Sequence, residues 1–156
     1  MDFEILPASL RDLSAFHKLE HACFKKDAWS LFDLVAVLTF PDVVRLKVVQ
    51  DSRMVGFIAG DPRQSQGFSW IATLGVLPEY RHQGIAKALL QACESRLHSP
   101  RIRLCVRMSN ESAIGLYHHA GYQTIDVWRK YYNDDEDAMV MEKEHIQMDY
   151  NRGHES

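Results

Sequence analysis

Two hydrophobic periods alternate along the chain, and the switches between them mark its elements. From Val43 to Gln50 the apolar residues Val44, Leu46 and Val48 alternate with Arg45 and Lys47, the period of two of a half-buried strand. Asp51-Ser52-Arg53 reads as a hairpin turn, and Met54 to Gly60 as a more uniformly apolar strand. A polar loop from Asp61 to Gly67 then leads into a third strand, Phe68 to Val76, so three antiparallel strands are expected in succession. Arg101 to Arg107 alternates again, with Ile102, Leu104 and Val106 on one face and Arg101, Arg103, Cys105 and Arg107 on the other. Phe3 to Leu6 predicts a short opening strand broken by Pro7. Two closing strands, about Tyr122 to Tyr132 and Ala138 to Lys143, flank the acidic turn Asn133-Asp134-Asp135-Glu136-Asp137.

Between the strands the spacing becomes helical. Ser9 with Asp12 forms a capping pattern ahead of Leu10, Leu13, Phe16, Leu19 and Cys23. Ser30 with Asp33 opens a second, shorter helix through Leu38 that ends before Pro41. The linker between them, Phe24-Lys25-Lys26-Asp27-Ala28-Trp29, is irregular and carries two aromatics. Past Pro78, a third helix has the apolar face Ile85, Leu89, Cys93 and Leu97, helped by Ala88 and Ala92. Asn110 is suited to cap a fourth, which ends at Ala120 with Gly121 at the C′ position. The polar tail from Glu144 to Ser156 is expected to be mobile.

Composition narrows the class. A chain of 156 residues that is 46% hydrophobic and 25% charged describes one soluble domain, placed at residues 1–143, and leaves no room for two. A net charge of -3 gives no footprint for binding nucleic acid or an anionic membrane surface. No leader pattern opens the chain, and no stretch approaches about 20 uninterrupted apolar residues. Cys23, Cys93 and Cys105 are widely separated and odd in number, which argues against a disulfide framework or a metal site and for a reducing, cytoplasmic setting.

Candidate chemistry concentrates where a strand runs through a loop into a helix, Leu74-Gly75-Val76-Leu77-Pro78-Glu79-Tyr80-Arg81-His82-Gln83-Gly84-Ile85-Ala86-Lys87. A helix N-terminus presents unpaired N–H groups and partial positive charge, suited to a pyrophosphate. Gly84 permits close backbone approach and Ala86 keeps the surface small, while Arg81, His82 and Lys87 add charge and donors. Taken alone, R-x-x-G-x-A leaves an ordinary strand-to-helix turn equally open.

From Phe3 to about Lys143 the sequence resembles the GNAT superfamily of acyl-CoA-dependent N-acetyltransferases. The resemblance rests on Arg81 to Ala86, similar to the family's (Arg/Gln)-x-x-Gly-x-(Gly/Ala) signature, on the preceding Leu74-Gly75-Val76, and on Asn110 to Tyr117 ending at Gly121-Tyr122. The closing segment Lys130 to Met141 is similar to protein N-terminal acetyltransferases, including the ribosomal-protein alanine type. The resemblance implies an α/β (α+β) fold: a central mixed, mostly antiparallel twisted sheet of about six or seven strands with about four helices, and a splayed strand pair holding the cofactor. It further implies acetyl-CoA as co-substrate and no metal. Leu74, Gly75 and Val76 are then expected to bond the pantetheine, Arg81, His82, Gln83, Gly84, Ile85, Ala86 and Lys87 to hold the pyrophosphate, and Asn110 to combine cap and ligand roles. Tyr117 is expected near the thioester sulfur as the acid that protonates the departing thiolate.

The nucleophile must be a neutral amine, yet the family's base positions fall here on Cys105 and on Trp70, which accepts no proton. Cys105 reads either as a packing cysteine or, beside three arginines, as a thiol of lowered pKa. A base matters less for some amines than for others. An α-amine is on the order of 10% neutral at pH 7 whereas a lysine amine is neutral at about 0.04%, so the missing carboxylate favours an α-amine acceptor, with water carrying the proton. By the same resemblance Phe24, Trp29, Tyr131 and Tyr132 wall a groove for the first residues of a polypeptide, and the acidic turn beside it favours cationic N-termini. His118 and His119 read as surface residues. Two alternatives remain: a small amine acceptor such as a polyamine or amino sugar, and a silent acyl-CoA-binding module. The sequence leaves the oligomeric state open.

Overall fold

A computed structural model describes residues 3–63 and 66–145, apart from the side chain of Lys26. Among the described residues seven strands form one sheet: β1 (Glu4–Pro7), β2 (Val44–Gln50), β3 (Arg53–Arg63), β4 (Phe68–Val76), β5 (Arg101–Arg107), β6 (Gln123–Trp128) and β7 (Ala138–Glu144). Their order is β1-β2-β3-β4-β5-β7-β6, and every neighbouring pair is antiparallel except β4 and β5. Four helices accompany them: α1 (Leu13–Phe24), α2 (Leu31–Thr39), α3 (Ile85–Glu94) and α4 (Glu111–His119). This is the mixed, mostly antiparallel sheet with four helices that the resemblance implies.

Local chemistry accounts for most boundaries. The Ser9 N–H donates to the Asp12 carboxylate at 2.9 Å ahead of α1, Ser30 Oγ accepts from the Asp33 N–H at 3.3 Å at the start of α2, and Asn110 Oδ1 accepts from the Ala113 N–H at 3.2 Å at the start of α4. Asp51 and Ser52 both have positive φ, 53° and 61°, the left-handed pair that lets a two-residue turn follow the twist of the β2–β3 hairpin.

Several boundaries differ from the sequence pattern. β1 takes in Pro7, which pairs with Leu46 instead of breaking the strand, and Leu10–Asp12 form a separate 3-10 turn ahead of α1. β3 runs on through Asp61, Pro62 and Arg63, which pair with Trp70, Ser69 and Phe68, so the expected loop is shorter. Pro62 is tolerated there because β2 stops pairing at Gly60, leaving that part of β3 an edge that needs no donor. α3 ends at Glu94, and Leu97, although buried, lies beyond it. β6 ends at Trp128, because Lys130 takes a positive φ of 51° and donates its N–H to the Asp137 carboxylate at 2.9 Å, turning the chain early. The expected polar tail lies outside the described residues beyond His145, and Glu144 closes β7.

Helices cover both faces of the sheet. On one face, Phe16 of α1 stacks on Phe57 of β3 with ring centroids 3.9 Å apart, and Leu34 and Leu38 of α2 are buried nearby. On the other, α3 lies so close that a Cβ on Gly60 would come within 2.8 Å of Cys93 Sγ. Cys23, Cys93 and Cys105 are all free thiols. Among the described residues no helix is long and apolar enough to cross a membrane.

Two features of the sheet position the site. β4 and β5 pair only over Phe68–Trp70 with Arg101–Arg103, then part company towards their C-terminal ends. β4 also carries one extra residue, Ala72, since Ala59 faces Thr73 while the next residue, Gly60, faces Ile71. Such a bulge bends the strand and re-aims its side chains.

Candidate active site

The parting of β4 from β5 leaves Leu74, Gly75 and Val76 without a strand partner on that side, and a cavity of about 710 Å³ opens there. It is floored by these three residues and by the loop into α3, and closed by Asn110 and Tyr117 from the opposite side of the split. The loop is built for close approach. His82 and Gly84 both have positive φ, 63° and 81°, and a Cβ on Gly84 would meet nothing within 4 Å. The first helical bond of α3 runs from the Ala88 N–H to the Gly84 carbonyl at 3.0 Å, so the N–H groups before it have no partner within the helix.

These features fit a nucleotide-pantetheine cofactor: an open strand edge for an extended amide-bearing arm, and a glycine-opened helix N-terminus for its pyrophosphate. Of the residues expected to hold it, Leu74, Gly75, Val76, Arg81, His82, Gly84, Ile85, Ala86, Lys87, Asn110 and Tyr117 line the cavity, whereas half-buried Gln83 does not. Arg81 has a second task, since its Nε–H donates to the Val76 carbonyl at 3.0 Å and ties the loop to the strand end. That carbonyl also accepts from Cys23 Sγ at 3.4 Å, so Val76 has its N–H, more than its carbonyl, to offer a ligand.

A second cavity, of about 430 Å³, shares Phe24, Asp27, Leu74, Arg107, Asn110, Ala113 and Tyr117 with the first. All four expected groove residues, Phe24, Trp29, Tyr131 and Tyr132, line it. The sequence reading missed the rest of its aromatic wall. Trp70 of β4 lies 5.9 Å from Trp128 of β6 between ring centroids, Trp128 lies 5.5 Å from Tyr131, and Tyr131 lies 5.0 Å from Tyr132. Trp70, the side chain unfit to be a base, is therefore part of this wall.

Arg107 stands where the two cavities join. Its Nε and Nη2 donate to the two Asp27 oxygens at 2.7 Å each, and its Nη1 donates to Asp134 at 3.0 Å and Glu136 at 3.1 Å. The guanidinium also lies 4.1 Å above the Tyr132 ring. It thus clamps the linker after α1 to the loop between β6 and β7, the two segments that wall the groove. The acidic turn, expected to attract cationic substrates, is largely spent on this clamp. Asp134 and Glu136 hold Arg107, Ser109 Oγ donates to Glu136 at 2.8 Å, and Asp137 accepts from the Lys130 N–H.

Burial sets the protonation of the remaining groups. Tyr117 is 8% exposed, and desolvation pushes its phenol up to about 12, so it holds its proton at neutral pH. Cys105 lies in the second cavity, but burial pushes its thiol up to about 11 instead of down. The arginines on its face do not lower it because they are engaged elsewhere: Arg103 and Arg101 pair with Glu142, and Arg107 with Asp27. His118 and His119 are exposed and bond the Tyr122 and Gly115 carbonyls at 3.1 and 2.7 Å, which fits surface residues.

One ionisable residue of the second cavity was absent from the sequence reading. Glu20 of α1 lines it, is 1% exposed, and accepts a hydrogen bond from Thr73 Oγ1 of β4 at 3.3 Å. Burial raises its carboxyl to about 7 against the opposing effect of the Thr73 bond. The signal was present in the pattern: Glu20 falls four residues after Phe16 and three before Cys23, on the apolar face of α1.

Comparison with known proteins agrees with this geometry. Residues 13–122 match the model of the acetyltransferase (GNAT) family. An N-alpha-acetyltransferase of Sulfurisphaera tokodaii is 36% identical over 107 residues, which span 58% of this chain and 63% of the relative. One from Saccharolobus solfataricus is 29% identical over 90% of this chain and 92% of its own length. Among solved structures, the ribosomal-protein-S18-alanine N-acetyltransferase from Escherichia coli superposes with a TM-score of 0.83 at 25% identity, covering 96% of this chain and 98% of the other. With its family signature lying on the loop into α3 beside the split of β4 from β5, the chain belongs to the acetyltransferase (GNAT) family and is an acetyl-CoA-dependent N-acetyltransferase.

Proposed function

We propose that the protein acetylates the α-amine of a polypeptide N-terminus by direct attack within a ternary complex, with Tyr117 as general acid. The observation that carries this reading is the junction of the two cavities: Tyr117, Leu74 and Asn110 line both, so an acceptor in the aromatic-walled cavity faces the acyl end of a cofactor in the other. Bound acetyl-CoA supplies an activated thioester. Tyr117 gives its proton to the departing sulfur. The burial that raises the phenol raises a thiol as well, as at Cys105, so donor and acceptor remain matched.

The walls suit a peptide more than a small amine. Phe24 and Trp29 flank the first side chain, while the hydroxyls of Tyr131 and Tyr132 bond the backbone behind it. The relatives whose names specify an α-amine substrate support the same acceptor. One domain, residues 1–143, supplies both cavities, and the three free cysteines suit a reducing, cytoplasmic setting. Acetylation of a peptide library with acetyl-CoA, read by mass spectrometry, is expected to label α-amines in preference to lysines and polyamines. Absence of thiol release above background with every N-terminal peptide would overturn the reading.

A further inference from the structure

The proposed transfer lacks a proton acceptor at both positions where the sequence looked for one. Cys105 holds its proton, and Trp70 has no basic lone pair. The structure contains a carboxylate in the same cavity. Glu20 projects from α1 to the β4 side of the cavity, beside the bulge at Ala72, and Thr73 fixes it there with a hydrogen bond at 3.3 Å.

Its surroundings are unusual for a buried acid. Among the described residues no basic side chain pairs with Glu20, although a carboxylate that is 1% exposed is ordinarily kept in place by an ion pair. The buried acid Glu94 shows the contrast, since it is met by Tyr122 and by Lys143 at 2.9 Å. The titratable groups facing the Glu20 cavity are Asp27, Arg63 and Arg107, the Cys105 thiol, and the phenols of Tyr117, Tyr131 and Tyr132; Cys23 lies one turn on along α1. Arg107 is committed to Asp27, Asp134 and Glu136, and Arg63 pairs with Asp61, so neither neutralises Glu20. A lone buried carboxylate costs stability and serves no packing purpose that leucine would not serve better.

We propose that Glu20, held by Thr73 in the acceptor cavity, is the general base that takes the proton from the acceptor ammonium. The assignment rests on the acceptor reading given above. In the step, the ammonium gives its first proton to the Glu20 carboxylate. The freed amine forms the C–N bond as the C–S bond breaks, and Tyr117 protonates the leaving sulfur. The nitrogen's second proton restores the phenol, and Glu20 releases its proton to solvent between turnovers. A carboxyl titrating at about 7 is ionised above that pH and protonated below it, so the rate should rise with pH through that region.

The test compares wild type, Glu20→Gln and Thr73→Val on a peptide with an ordinary α-amine and on the same peptide ending in an aminooxy group, whose nitrogen is uncharged over the range studied. Glu20→Gln should lower kcat/KM about 100-fold on the α-amine, abolish the acidic limb near pH 7, and largely spare the aminooxy peptide. Thr73→Val removes a bond that favours the carboxylate and should move the limb up by about one pH unit. Carbon-13 NMR of labelled glutamate carboxyls, which needs no turnover, should show a resonance titrating near 7 that is missing from Glu20→Gln. Equal losses on both peptides, a limb unmoved in both variants, or no such resonance overturns the assignment of Glu20 alone. Failure of the wild type to acetylate any α-amine overturns the acceptor reading and the base together.

Discussion

The two cavities meet at Tyr117 and share part of their walls, yet differ in what distinguishes them. The first is centred on one stretch, Leu74 to Lys87, with other walls from the end of α1 and its linker, the end of β5, α4 and the loop before β7, and its distinguishing features are main-chain: an unpaired strand edge, a left-handed glycine and the opening turn of α3. The second is lined by the facing strands β4 and β5 and by side chains from β3, α1, the linker after it, α4, β6 and the loop before β7. A cofactor that is the same for every turnover is met by main-chain groups, which any sequence with the right glycine supplies. An acceptor that must be distinguished from other amines calls for aromatic rings and placed charges, which only specific residues supply and which the second cavity offers. The difference implies that damage to the first cavity acts on cofactor affinity, and damage to the second on acceptor use.

Tyr117 belongs to both cavities and should give the largest effect. Tyr117→Phe keeps the ring packed against Tyr122, with centroids 5.9 Å apart, and should lower kcat about 100-fold while calorimetry shows acetyl-CoA binding retained. An unchanged rate would favour a protein that only binds the cofactor. Gly84→Val forces a β-branched residue to φ near 81° at the turn into α3, and should weaken acetyl-CoA about tenfold without altering acceptor preference at saturating cofactor.

Arg107→Met tests the second cavity. It leaves Asp27, Asp134 and Glu136 without their cation, should cost about 2 kcal/mol in denaturant unfolding, and should raise KM for peptides several-fold more than KM for acetyl-CoA. Comparable rises in both constants would show that the clamp serves the cavities equally. Cys105→Ala is the smallest change. The thiol stays protonated at neutral pH, so kcat and its pH profile should be unaltered, with a stability loss of about 1 kcal/mol or less.

The first cavity was legible in the sequence because its determinants are local. R-x-x-G-x-A between a strand and a helix fixes the conformation of its own loop, and Asn110 caps α4 whether or not a ligand is present. The second cavity was legible in outline, through Phe24, Trp29, Tyr131 and Tyr132, which the structure brings together, and blank in detail. Trp128 sat in the predicted closing strand without a role, and Arg107 was one arginine among three on a strand face. Glu20 is an acid on an apolar helix stripe, a conflict visible in the pattern but without meaning until Thr73 and the cavity are placed against it. Of the two readings of Cys105, the packing cysteine agrees with the raised thiol and the lowered thiol does not, for a related reason: strand alternation shows which charges share a face and not which are already paired.

The sequence by itself determined the elements, the turns and the cofactor loop, because hydrophobic period, capping and glycine conformation act within a few residues along the chain. The parting of β4 from β5, the bulge at Ala72, the Arg107 clamp across 80 positions to Asp27 and the burial of Glu20 beside Thr73, 53 positions away, were decided only by the tertiary structure. Protonation and pairing depend on desolvation and on distances of a few ångströms, and neither exists until remote segments have packed together.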